Sequence, residues 1–173
     1  MTRGRVIPLL TCAALLLADA GLAIAQSDDG DSDYGNSGTS YPIGVRAGYT
    51  SWEDVGQMHF GAQMQLGEVM ENLSFTPNFE IGLGDNLTVA ALNGDVTWAF
   101  SEMVNAPWGL YGGGSLALIW TDPEGGDANS DLGLSALGGL TRRFDNGHDG
   151  FLEVRVGLLD SPGLKITLGY SLF

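Results

Sequence analysis

The sequence predicts an all-β protein, an eight-stranded antiparallel up-and-down transmembrane β-barrel, and three features lead to that prediction. Eight segments alternate apolar and polar residues with a period of two, the pattern of a strand with two unlike faces. After residue 25 no stretch is long and apolar enough for a membrane helix. The polar faces consist mostly of small uncharged residues, which is unlike a water-exposed surface.

The chain begins with a predicted export signal. Arg3 and Arg5 precede an apolar run, and Ala23-Ile24-Ala25 has the small residues of a cleavage site. We assign residues 1–25 to a secretory signal peptide. The single cysteine, Cys12, lies inside that segment, so we expect no disulfide in the exported part.

Residues 26–41 are predicted to form a disordered acidic tail, followed by the barrel over residues 42–173. The tail reads QSDDGDSDYGNSGTSY and nearly lacks aliphatic residues, so it cannot bury enough apolar surface to order itself. The net charge of the chain is −14, which argues against nucleic acid as a partner because two polyanions repel each other.

The eight strands are expected to follow one another through short connections. Their predicted ranges are 42–52, 56–66, 74–84, 87–100, 108–120, 131–144, 151–158 and 164–173. Residues 67–73 would form at most one turn of helix. In the fourth strand Leu87, Val89 and Ala91 fall on the polar face, which predicts a bulge or a pattern slip near residues 91–92.

The two faces predict that apolar side chains meet lipid and polar ones line the lumen. A soluble exterior is normally rich in lysine and glutamate, whereas Lys165 is the only lysine here. The charges on the polar faces balance, and opposite charges in a narrow lumen can pair. This predicted lumen network consists of Arg46, Arg155 and Lys165 with Glu80, Asp95 and Glu153. A secreted β-sandwich or a lipocalin-like carrier of an apolar ligand would explain the alternation equally well, with the apolar face inside.

Bulky aromatic residues near the strand ends predict where the barrel meets the two membrane interfaces. Aromatic girdles of this kind hold a barrel at the boundary between hydrocarbon and headgroups. The predicted girdle comprises Trp52, Trp98, Trp108, Trp120 and Tyr170.

Four segments resemble the hairpins of small outer-membrane β-barrel proteins of Gram-negative bacteria, the OmpA-like and OmpX-like eight-stranded barrels. These are PNFEIGLGDNLTVAALNGDVTWAF, WGLYGGGSLAL, LGLSALGGL and LEVRVGLLDSPGLKITLGYSLF. The resemblance spans residues 42–173 and is one of fold, with degenerate motifs. It implies an outer-membrane location.

The same resemblance implies that the barrel assembly machinery reads the last strand, whose expected signal is Gly169, Tyr170, Leu172 and Phe173. In the family's usual pattern the final Phe shares a face with the other lipid-facing residues. Phe173 is out of phase with Tyr170. Either Leu172 takes the lipid-facing position and Phe173 overhangs, or the last strand bends.

The leading functional hypothesis is a non-enzymatic structural or interaction protein of the outer membrane, monomeric and without a cofactor. Eight strands leave a lumen that side chains fill, so an open porin is not expected. The turns predicted to face outward are acidic, and we expect them to meet lipopolysaccharide through bridging Mg²⁺ or Ca²⁺. This acidic rim comprises Glu53, Asp54, Asp85, Asp122, Glu124, Asp127, Asp131 and Asp160.

An alternative on the same fold is a lipid-modifying enzyme. Such an enzyme needs a nucleophile beside a base, for example a serine beside a histidine. The only histidines are His59, expected in the lumen, and His148, expected in a turn on the periplasmic side. The strand pattern puts no serine next to either, so the sequence predicts no catalytic residue.

Overall fold

The computed structural model describes residues 42–52, 55–100 and 108–172, and its secondary structure in these ranges is entirely β. The strands are β1 Ile43–Trp52, β2 Val55–Met64, β3 Glu68–Met70, β4 Leu73–Gly84, β5 Leu87–Ala99, β6 Trp108–Pro123, β7 Asn129–Arg143, β8 Asp149–Leu159 and β9 Leu164–Ser171. The predicted signal peptide and tail, Glu53, Asp54 and Phe173 lie outside the described residues. The described ranges contain no helix capable of crossing a membrane.

The strands close into one antiparallel barrel. From β4 to β9 each strand pairs with the next along the chain, β9 pairs with β1, and β1 pairs with β2. The circle closes because β2 also pairs with β4, from Gln57 opposite Gly84 to Gln63 opposite Asn78. Eight strands therefore surround the lumen, and the short β3 pairs with the start of β4. The predicted eight-stranded up-and-down barrel is confirmed.

The segment between β2 and β4 is extended, and the single helical turn that the sequence allowed there at most is not formed. Gly67, at a φ of +83°, interrupts the ladder, and β3 then resumes pairing with β4. The chain reverses at Glu71 and Asn72, and Asn72 has a φ of +62°, which asparagine tolerates better than most residues. The partner strand β4 supplies the hydrogen bonds that make this unpatterned segment a strand.

The bulge expected near residues 91–92 is also absent from β5. Pairing of β5 with β4 and with β6 is continuous along the whole strand. Leu87, Val89 and Ala91 therefore stay on the inward side, where Val89 packs with Ala117 and Ile119 in a small buried cluster. The out-of-pattern apolar residues are part of the lumen packing and do not mark a slip in register.

Apolar side chains cover the outside of the barrel. Met58 and Phe60 are 51% and 53% exposed, and Leu118 and Val154 are 40% and 43% exposed. The polar residues between them point inward and are buried, as with Gln57 and His59 on β2. This arrangement contradicts the soluble carrier, which requires the apolar face inside.

Candidate functional site

Six charged side chains meet in the middle of the lumen. They are Arg46 of β1, Glu80 of β4, Asp95 of β5, Glu153 and Arg155 of β8, and Lys165 of β9. Each occupies an inward position of its strand and is at most 6% exposed. The structure thus brings together all of the residues proposed for the lumen network from sequence.

Arg46 contacts all three carboxylates. Its Nη2 donates to Glu153 Oε1 at 2.9 Å and its Nη1 to Asp95 Oδ2 at 3.5 Å. Its Nε lies 2.9 Å from Glu80 Oε1, although the N–H is not aligned for a hydrogen bond, so this is an ion contact. One guanidinium therefore links β1 to β4, β5 and β8.

Arg155 and Lys165 neutralise the remaining charge of the three carboxylates. Arg155 Nη2 donates to Asp95 Oδ2 at 2.7 Å and to Glu153 Oε1 at 2.9 Å, and its Nη1 donates to Ser115 Oγ at 2.9 Å. Lys165 Nζ pairs with Glu80 Oε2. Three buried cations face three buried anions, so mutual attraction offsets the cost of removing each charge from water.

Neutral side chains extend the network. Tyr111 OH donates to Glu153 Oε2 at 3.1 Å, and Asn78 Nδ2 donates to Asp95 Oδ2 at 2.8 Å. Asn93 Nδ2 donates to Asn78 Oδ1 at 2.8 Å. Sequence reasoning did not assign these residues to the network, although each has the inward parity that could have identified it.

His59 lies on the side of the network nearer the β1–β2 connection, between two threonine hydroxyls. Its Nδ1 is 2.8 Å from Thr50 Oγ1 and its Nε2 is 3.0 Å from Thr167 Oγ1. A cavity of about 30 Å³ adjoins His59, Lys165 and Ile119. That volume holds a water molecule or two but no larger solute.

An apolar group packs on the other side of the network. The Phe151 ring lies beneath Arg46, whose Cζ is 5.6 Å from the ring centroid. Leu137 of β7, opposite Arg155 in the β7–β8 ladder, is also buried. A Cβ atom on Gly169 would collide with the Phe151 ring, so glycine at this position leaves room for the ring against β9.

The proposed girdle residues divide between the two ends. Trp98 and Trp108 are exposed, at the barrel end that carries the start of β1 and the end of β9, and half-buried Trp120 lies near the opposite end. Tyr170 is half-buried and accepts a hydrogen bond from Asn146 Nδ2 at 2.9 Å. Trp52 belongs to β1, but its side chain is outside the described part of the structure.

The last described residues continue the alternation of β9. Ser171 is buried, and Leu172 points outward with its N–H donating to Ile43 O at 2.7 Å. Leu172 thus points to the outside of the barrel, while Phe173 lies outside the described residues.

The described residues of the acidic rim all lie at the barrel end opposite the start of β1 and the end of β9. Asp85 and Asp160 are in turns, Glu124 and Asp127 lie between β6 and β7, and Asp122 and Asp131 flank that connection. No three His, Cys, Asp or Glu side chains in the described ranges are grouped to hold a metal ion.

A closed eight-stranded barrel with an apolar exterior and a packed, charged lumen has the fold of the small outer-membrane barrels. Neisserial surface protein A (NspA) superimposes with a TM-score of 0.57 at 14% identity, covering 76% of this chain and 94% of its own. The N-terminal β-barrel domain of OprF from Pseudomonas aeruginosa superimposes with a TM-score of 0.51 at 12% identity, covering 75% and 95%. No protein-family profile matches the sequence, and no curated protein matches it. At these identities the likeness concerns the fold alone.

Proposed function

We propose that the protein is a non-enzymatic, monomeric outer-membrane barrel with a structural or interaction role in the cell envelope. One observation carries the proposal: the exterior of the barrel is apolar, while its lumen is filled by a charge-balanced network. Only a bilayer solvates such an exterior. Residues 1–25 would direct export, and the barrel assembly machinery would recognise the last strand.

The outer-membrane location is tested by fractionation and gel mobility. The full chain should sediment with outer membranes, and it should migrate differently in detergent gels before and after boiling, because a closed barrel resists detergent until heated. Recovery of the protein in the soluble periplasmic fraction, with no heat-dependent shift, would overturn the proposal.

A closed lumen predicts that the protein does not conduct. Purified protein in planar bilayers should give no stable single-channel steps, since the network and its neutral partners occupy the bore. A large porin inserted in parallel is the positive control. Regular steps of uniform size from the wild-type chain would contradict the closed-barrel proposal.

The acidic rim is the surface proposed to face lipopolysaccharide. Both partners are anionic, so contact requires bridging Mg²⁺ or Ca²⁺. Binding of purified lipopolysaccharide to the reconstituted barrel should fall when a chelator is added and return with excess Mg²⁺. A Glu124→Gln and Asp127→Asn double variant should lose part of that response. Binding that is indifferent to chelation would refute the bridge.

The lipid-modifying enzyme is not favoured. His59 is buried in the lumen between two threonines, and His148 lies near the Tyr170 ring, with 5.4 Å between the ring centroids. Neither arrangement resembles a nucleophile and base at a membrane face. An unchanged lipid A profile in cells overproducing the protein is the expected result, and altered acylation would reinstate the enzyme.

A further inference from the structure

The basic residues are distributed very unevenly over the described barrel. Arg46, Arg155 and Lys165 are inside the lumen. Arg143 is exposed but forms a two-pronged pair with Asp149, with both N···O distances at 2.9 Å. Arg142 is exposed and has no carboxylate within 4 Å among the described residues. It is thus the one outward-facing cation in the described ranges that lacks such a partner.

Aromatic rings hold the Arg142 guanidinium. Its Cζ lies 5.0 Å from the Trp108 ring centroid and 5.6 Å from that of Phe144. Trp108 is directly opposite Arg142 in the β6–β7 ladder. Stacking on ring faces keeps a guanidinium's N–H edge free for an anion, an arrangement for which arginine is better suited than lysine.

The patch continues across the next two strands. Gly150 lies opposite both Arg142 on β7 and Tyr170 on β9. The Phe144 ring covers Gly150 and lies 5.8 Å from the Tyr170 ring. Because the Tyr170 oxygen accepts from Asn146, its own O–H hydrogen remains available to donate. The patch therefore presents a guanidinium and a hydroxyl donor on an aromatic surface.

We infer that Arg142, framed by Trp108, Phe144 and Tyr170, is a binding site for the phosphate of a phospholipid headgroup. The site lies on the outward face, at the barrel end that carries both the start of β1 and the end of β9. This inference rests on the proposed function, in which the acidic rim at the opposite end faces lipopolysaccharide. The end that carries Arg142 then meets the phospholipid leaflet. The phosphate supplies the anion, and the acyl chains lie along the apolar exterior below it.

Retention of an anionic phospholipid tests the site. The full chain is reconstituted in nanodiscs of phosphatidylcholine with a minor fraction of phosphatidylglycerol, then released into detergent for native mass spectrometry. Wild type should keep one phosphatidylglycerol above the bulk ratio. Arg142→Gln should lower that retention about tenfold, and Arg142→Lys should lower it less. Arg143→Gln, the matched neighbour, should behave as wild type.

Several results would overturn the site. One is equal retention of phosphatidylglycerol by wild type and Arg142→Gln, and another is a loss in Arg143→Gln as large as that in Arg142→Gln. Displacement of the lipid by inorganic phosphate is the third such result. Each variant must first show the heat-dependent mobility shift, so failure of this site is separable from failure of the membrane assignment.

Discussion

Arg46 and Glu153 are 107 positions apart in the chain, yet their side chains meet at 2.9 Å in the middle of the lumen. Arg46 is on β1 and Glu153 is on β8, with β9 between them. The same Glu153 oxygen also accepts from Arg155, and its other oxygen accepts from Tyr111. The pair therefore belongs to a network in which most members have more than one partner, and removal of one member affects the others.

Replacing Arg46 should strongly destabilise the barrel. Arg46→Gln leaves three buried carboxylates facing two cations, and breaking a buried pair typically costs about 3–5 kcal/mol. Urea unfolding in phospholipid vesicles, followed by tryptophan fluorescence, measures the change in the free energy of unfolding. Arg143→Gln removes an exposed ion pair and should cost only about 0–1 kcal/mol.

Adding Glu153→Gln to Arg46→Gln should recover part of the lost stability, because the lumen regains its charge balance. The coupling free energy between the two positions should be about 0.5–3 kcal/mol. Strict additivity of the two single variants would show that the network does not act as a unit.

A charged residue introduced on the outer face should destabilise the barrel more strongly the closer it lies to the middle of the bilayer. Val154 is near the middle of β8 and points outward, so Val154→Arg should cost about 2–4 kcal/mol. Leu158 is also exposed but lies near the strand end, and Leu158→Arg should cost about 0–1 kcal/mol. The comparison is made by unfolding in vesicles. Equal, small effects at both positions would indicate that water, and not lipid, surrounds β8.

Gly169→Ala should disturb the packing of β9 on β8. The added methyl would collide with the Phe151 ring, and overpacking of this kind costs about 1–3 kcal/mol. Phe151→Leu should rescue the variant, since it removes the obstructing ring. Gly163→Ala is the matched control, because the nearest atom to its new Cβ is 4.0 Å away. A Gly169→Ala barrel as stable as wild type in urea would contradict this packing argument.

Assembly in cells should depend more on Leu172 than on Phe173. Leu172 points outward, and its N–H donates to Ile43 O and so extends the pairing of the last strand with β1. Leu172→Ala should therefore lower the heat-modifiable, membrane-inserted fraction several-fold, with a smaller loss for Phe173→Ala. Ser171→Ala changes a lumen position and controls for general effects at the terminus. A larger defect in Phe173→Ala than in Leu172→Ala would contradict this prediction and would indicate that the terminal aromatic is the main part of the assembly signal.

Strand alternation was sufficient to predict the barrel and the six charged lumen residues, because parity alone assigns each side chain to a face. It could not predict which charges pair, since that depends on the stagger between strands distant in sequence. The contacts of Arg46 with Glu80 and Asp95 are examples. Nor could it predict that His59 would lie between Thr50 and Thr167, whose hydroxyls come from β1 and β9.

The two local differences from the sequence analysis have physical causes. The β3 segment lacks alternation because it adds to the end of a hairpin, where no buried face imposes a pattern. The apolar start of β5 suggested a bulge or a pattern slip because Leu87, Val89 and Ala91 lie on the otherwise polar face of their strand. Val89 instead packs on Ile119, so one part of the bore is filled by hydrocarbon.

The lumen ion pairs join strands that are not neighbours, and this constrains how the molecule can enter a bilayer. A hairpin of β4 and β5 inserted alone would carry Glu80 and Asp95 into hydrocarbon with their cations still outside. We therefore expect insertion to be concerted. Quenching by brominated lipids should give Trp98 and Trp120, at opposite ends of the barrel, one common rate, whereas two separate rates would indicate stepwise entry by hairpins.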